Sequence, residues 1–120
     1  MGRIVHFEIP SDNPEKLTAF YKEIFGWTFQ KWGDIEYWLA TTGAQDKPGI
    51  DGAITRKNDS VPVTVNTIEV DDISKAMKDI PAHGGEVLSK EIMEIPDVGK
   101  FIYGKDPEGN IIGVLEGIKR

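Results

Sequence analysis

The chain has 120 residues, a formal charge of −6, thirteen glycines, seven prolines and no cysteine, one domain's worth of sequence that should bury roughly two-thirds of its surface. Without cysteine there is no disulfide framework, iron–sulfur cluster, thiolate zinc site or cysteine nucleophile, and a cytoplasmic home is expected. No run approaches the roughly 20 apolar residues of a membrane span, and the basic residues, no denser than the pairs Arg56-Lys57 and Lys119-Arg120, do not offset an acidic field that repels nucleic acid.

The opening Met1-Gly2-Arg3-Ile4-Val5-His6 lacks the apolar core and cleavage site of a signal peptide, so no trimmed leader is expected. Arg3 to Pro10 alternates, with Val5, Phe7 and Ile9 on one face and Ile4, His6 and Glu8 on the other. That pattern predicts a half-buried strand whose apolar face meets a helix. The helix is expected between Ser11 and Gly26, with Ser11 and Asp12 as N-caps, Pro14 in the first turn and Glu15 at the positive end of the dipole. Leu17, Phe20, Tyr21, Ile24 and Phe25 recur at helical spacing before a left-handed cap at Gly26, and their aromatic stripe is expected to be structural. Three β-rich runs follow, at 27–32, 35–42 and 50–56.

The plan then repeats. Pro62 to Val70 is strand-like, Asp71-Asp72 offers a cap, and Ile73, Ala76, Met77 and Ile80 form a second stripe that Pro81 and Gly84-Gly85 are expected to stop. His83 stands beside that stop, where a cation complements the helix dipole. Runs at 86–95, 100–105 and 110–115 follow, with a tight connection at Asp106-Pro107-Glu108-Gly109-Asn110. Each half reads β-α-β-β-β. Neither covers both faces of its own sheet, so one domain over residues 1–120 is expected, with module 1 at about 1–58 and module 2 at about 61–120.

Three segments in order resemble the vicinal oxygen chelate superfamily of glyoxalase I, extradiol dioxygenases and bleomycin-binding proteins. They are Val5-His6-Phe7-Glu8-Ile9-Pro10 leading to Phe20-Tyr21 and Phe25-Gly26-Trp27; Val70-Asp71-Asp72 leading to Gly84-Gly85; and Lys105-Asp106-Pro107-Glu108-Gly109-Asn110. The opening resembles the glyoxalase-related branch. The resemblance implies an α+β fold of two paired βαβββ modules, a curved mixed sheet around a cleft. It also implies a divalent metal in the metal enzymes, held by inward positions on the first and last strands of each module, with open positions for substrate oxygens.

The donors expected from that resemblance are mostly missing. His6 fills the first position. The matching position in module 2 is Val65 and the last-strand position is Gly113, neither of which binds metal. The fourth falls near Gly52 or Ala53, with Asp51 adjacent. Glu116 lies three residues past Gly113, on the opposite strand parity. No cofactor is therefore expected; a divalent ion (Zn, Ni, Mn or Fe) would need His6 with Glu8, Glu69 or Glu116.

Val65, Thr67, Glu69, Ile111, Gly113 and Leu115 are expected to line the cleft, with extra volume where Gly113 replaces a longer side chain. His6 and Glu8 supply its polar end and are the candidate catalytic pair, an imidazole able to move a proton beside a carbonyl. Nucleophile-elbow and phosphate-loop spacings are absent from the sequence. The expected function is binding of a small organic ligand in an apolar cleft without the usual metal, the reaction unassigned. The alternative is a metal-dependent glyoxalase I-type lyase or isomerase built on His6. A homodimer is implied by the resemblance.

Overall fold

The computed structural model describes residues 2–118. Its elements run β1 (Arg3–Ser11), α1 (Pro14–Phe25), β2 (Thr28–Lys31), β3 (Tyr37–Thr41), β4 (Gly52–Arg56), β5 (Val65–Glu69), α2 (Ile73–Ala82), β6 (Glu86–Val87), β7 (Met93–Ile95), β8 (Gly99–Lys105) and β9 (Ile111–Gly117). The chain divides into two compact units: an N-terminal unit of His6–Val65, and a C-terminal unit made by the residues from Asn66 onward together with the chain start up to Val5.

In the N-terminal unit the strands run β2-β3-β4-β1. β4 lies parallel to β1, with Glu8 opposite Ala53, and antiparallel to β3, with Leu39 opposite Ala53. Side chains alternate along each strand. One face therefore carries His6, Glu8, Ala53, Thr55, Tyr37 and Leu39, and the other Phe7, Ile9, Ile54, Trp38 and Phe29. The second face meets α1 through aromatic rings: Tyr21 stacks on Trp27 at 4.5 Å, and Trp27 lies 5.6 Å from Phe7 and 6.3 Å from Phe29.

α1 starts later than Ser11 or Asp12 would cap it. Its N-cap is Asn13, whose side chain accepts from Lys16 N–H at 3.3 Å, while Ser11 ends β1 and accepts from Asn13 N–H at 3.0 Å. Pro14 explains the shift: proline is favoured as the first helical residue, so the cap falls on its predecessor. Gly26 closes the helix in the left-handed conformation, φ 75°, as the stripe predicts. The stripe itself is only partly covered. Phe20, Ile24 and Phe25 remain 51%, 62% and 59% exposed, so the aromatic face is not a closed core.

In the C-terminal unit the order is β5-β9-β8-β6, with β7 also on β8. α2 covers one sheet face, and Ile73, Ile102 and Val114 are buried together with Ala76, Met77 and Ile80 around them. A buried isoleucine of this kind contributes about 1.5–3 kcal/mol. The expected run at 86–95 is two short strands. Between them Leu88 N–H and Ser89 N–H both donate to Tyr103 C=O, and Ser89 Oγ accepts from Tyr103 N–H, which breaks regular pairing. Pro81 does not stop α2 but lies within it. A missing N–H near the helix end costs one bond at most, and the chain turns at His83 and at Gly84, φ 90°. The Asp106 turn forms as expected, its Oδ1 accepting from Glu108 N–H and Asn110 N–H, each at 2.9 Å. The fold is α+β with mixed strand pairing; the first half has the expected β-α-β-β-β order, and the second departs from it in having the strand after α2 split into β6 and β7.

Candidate functional site

The polar face of the N-terminal unit gathers chemistry. β1 places His6 and Glu8 two residues apart on the face turned away from α1, as the alternation predicts. His6 Nε2 lies 2.9 Å from Tyr37 Oη. The imidazole tautomer decides which of the two donates. Tyr37 gets there because β3 pairs with β4, Tyr37 opposite Thr55, which puts it on the same face as Ala53 and Glu8. Trp32 packs against its ring edge-on at 5.7 Å.

Two carboxylates surround this pair. Glu8 is only 6% exposed. Asp51 precedes β4 and is level with His6 when the Glu8–Ala53 register is carried back two residues. Asp51 Oδ1 accepts from Thr42 N–H at 2.8 Å and from the Thr42 hydroxyl at 3.3 Å, which fixes it in place. Burial of His6 disfavours its charged form and holds its pKa below the ordinary 6.5, against the opposing pull of Glu8 and Asp51. The site therefore presents a neutral imidazole, bonded to a phenol and flanked by acids, at neutral pH.

The corresponding face of the C-terminal unit is different. Register places Thr67 beside Gly113 and Gly113 beside Tyr103, with Glu69 beside Leu115 and Leu115 beside Phe101. Ile111 and Leu115 share that face and make it apolar. The extra volume expected over Gly113 is not there. A Cβ at Gly113 would stand 2.7 Å from both Phe101 Cζ and Thr67 Oγ1, so the Phe101 ring fills the space. Phe101 is held edge-on by Tyr103 at 4.7 Å. Thr67 is closed off at 2% exposure, and its Oγ1 has no hydrogen-bond partner among the described residues; Val65, the last residue of the N-terminal unit, is fully buried. Glu69 is exposed, its carboxylate over Gly117.

A divalent metal, which the resemblance implies, does not fit the donors present. Among the described residues no three His, Asp or Glu side chains group to hold one. Glu116 faces α2, where its Oε1 accepts from Ile73 N–H at 3.0 Å and so satisfies a helix terminus. Of the two positions near the end of module 1, Gly52 abuts Phe7 on the helix side, and Ala53 is the one on the His6 face, with no donor atom to offer. His83 caps α2, its Nδ1 2.9 Å from Asp79 C=O, and takes no part.

Tyr37 is the functional candidate that the sequence reading leaves unassigned. Alternation through Glu36-Tyr37-Trp38-Leu39 puts an aromatic on each face, and only the pairing with β4 says which one meets His6.

A mixed α+β domain that repeats a plan of strand, helix and further strands, with a histidine on the first strand's polar face, is the class defined here. The sequence profile of the glyoxalase/bleomycin resistance protein/dioxygenase superfamily matches residues 3–114, and the chain belongs to that superfamily. It is 30% identical over 114 residues to a glyoxylase-like domain-containing protein of Didymella fabae, covering 91% of this chain and 89% of that protein. Its fold is similar to that of a superfamily member from Vibrio splendidus (TM-score 0.70, 15% identity, 98% and 100% of the two chains). A Streptomyces coelicolor methylmalonyl-CoA epimerase variant in complex with 2-nitronate-propionyl-CoA has the same fold (TM-score 0.68, 15% identity, 98% of each chain). No helix among the described residues is long and apolar enough to cross a membrane.

Proposed function

We propose that this protein binds a small organic ligand on the face that carries His6, Glu8 and Tyr37, without the divalent metal of the superfamily's metal enzymes. The observation that carries the reading is the 2.9 Å contact between His6 Nε2 and Tyr37 Oη beside the nearly buried Glu8. A lone surface histidine recognises little; one locked to a phenol offers a fixed donor–acceptor pair. Leu39, exposed on the same face, supplies apolar contact for the rest of a ligand.

The same arrangement supports proton transfer. A neutral imidazole accepts a proton from a carbon next to a carbonyl, and Glu8 and Asp51 favour the imidazolium that results. Tyr37 orients the ring. A homodimer belongs to the same proposal: Phe20, Ile24 and Phe25 leave α1 with an apolar strip that a second copy would cover.

The test is a screen of small carbonyl compounds and aromatic ligands, read by NMR of the histidine and tyrosine side chains. Hits are expected to move the His6 and Tyr37 signals and to lose at least about tenfold in affinity in His6→Ala, the cost of one buried hydrogen-bonding group. Hits whose affinity and turnover are unchanged by His6→Ala would end the proposal.

A further inference from the structure

On the helix side of the N-terminal unit, the side turned away from His6, lies a second hollow. It is open to solvent, measures about 360 Å³ and is lined by Thr18, Ala19 and Lys22 of α1 and by Thr28 and Phe29 of β2. Helical spacing builds the α1 wall, because positions 18, 19 and 22 fall side by side on one surface of the helix. The small side chain of Ala19 keeps that wall low. Phe29 is half-buried on the face that meets α1, its ring 6.3 Å from Trp27, and gives the hollow a fixed apolar floor.

Two polar features meet at its rim. Lys22 is exposed, and its ammonium takes part in neither of the ion pairs found among the described residues, Arg56–Glu36 and Lys75–Asp79. Glu23 follows it in sequence but projects about 100° further round the helix. The second feature is backbone. β2 ends its sheet and pairs only with β3, and consecutive residues of such a strand turn their N–H and C=O alternately toward the partner and away from it. One of Thr28 and Phe29 therefore offers its N–H to the open edge, and neither bonds to backbone outside the β2–β3 ladder among the described residues. The hollow borders that edge, since β3 contributes nothing to its lining. A carboxylate accepts from both an ammonium and an edge N–H, and a short apolar body beneath it would rest on Phe29 and Ala19. We infer that this hollow is a second ligand site, independent of the His6 face and selective for small apolar monocarboxylates. A neutral amide of the same shape loses the attraction of Lys22, and a carboxylate without the apolar body loses the floor.

Phenylacetate, phenylacetamide and acetate separate the two contributions, with binding read by NMR at the Ala19 and Thr18 methyls and, alongside, at the His6 ring. Phenylacetate is expected to shift the Ala19 and Thr18 signals saturably in the millimolar range. The amide should bind about threefold more weakly, as the loss of an exposed ion pair predicts, and acetate about tenfold more weakly for want of the ring. Lys22→Gln keeps a good helix former and should erase the advantage of the acid over the amide. Ala19→Glu sets a carboxylate three residues before Lys22, within reach of its ammonium, and should abolish binding by filling the hollow and occupying the cation. Equal affinities for acid and amide in wild type would overturn the inference, as would an advantage that survives in Lys22→Gln or binding that persists in Ala19→Glu. So would the absence of any shift at Ala19 and Thr18; movement at His6 alone would overturn this site and leave the reading of the His6 face untouched.

Discussion

The two units repeat one plan of strands and helix yet finish their exposed chemistry in opposite ways. In the N-terminal unit the sheet face away from the helix keeps a histidine, a tyrosine and two acids, while the helix side is sealed by aromatic rings around Trp27 and leaves part of α1 bare. In the C-terminal unit the helix side is an aliphatic core around Ile102, and the opposite face is shut by Phe101 lying over Gly113. A repeat thus conserves backbone pairing more strictly than it conserves what the pleat presents. Pairing is satisfied by main-chain groups common to all residues, whereas face chemistry turns on single side chains. One glycine at position 113 is enough to let a phenylalanine occupy the position where metal-binding relatives are expected to carry a donor.

The sharpest way to break this contrast is to put the donor back. Gly113→Glu drives a Cβ into the Phe101 ring and the Thr67 hydroxyl and then buries a carboxylate beside an aromatic wall. A loss of about 3 kcal/mol is expected, overpacking and the buried charge together. Urea unfolding measures it. A neutral or stabilising outcome would mean that Phe101 moves aside easily and that the closed face is a matter of rotamer rather than of packing.

A smaller effect distinguishes the open face. The His6 pKa lies below 6.5 because burial disfavours the imidazolium. A folded-state pKa below the unfolded one means that the unfolded chain binds more protons as the pH drops. The stability contributed by neutral His6 is therefore complete above about pH 6.5 and is lost as the pH falls through that value toward the lower folded-state pKa. Wild type should lose more stability than His6→Asn between pH 7.5 and 5.0, by urea midpoints at each pH. Equal losses would show that His6 is solvated like an ordinary surface histidine.

Much of this was legible in the sequence because it is local. Alternation in Val5-His6-Phe7-Glu8-Ile9 is enough to separate the face of His6 and Glu8 from the face that meets α1, and Gly26 marks a left-handed cap by its position after the stripe. Ser11 and Asp12 are both good capping types, but a proline at 14 suits the first helical position and puts the cap on Asn13. Glu116 was separated from Gly113 by parity alone, and its bond to Ile73 N–H agrees.

The remainder depended on which strand lies beside which. Tyr37 meets His6 through β4, a strand that neither residue belongs to, so nothing within ten residues of either announces the pair. Phe101 over Gly113 depends on the β8–β9 register and on a side-chain rotamer, and the composition of β9 alone suggested open volume where a ring now lies. The exposure of Phe20, Ile24 and Phe25 was hidden for a related reason: an apolar stripe says that a face wants cover, not what is there to cover it.

The claim on which both faces turn is that a ligand is bound here without a divalent metal. Isothermal titration of the metal-stripped protein with Zn²⁺, Ni²⁺, Mn²⁺ and Fe²⁺, alongside His6→Ala, tests it most directly. The expected result is no saturable site in the micromolar range and no difference between the two proteins. One ion bound per chain, with the site lost in His6→Ala, would contradict the metal-free reading and restore a glyoxalase-type metal centre on the N-terminal unit.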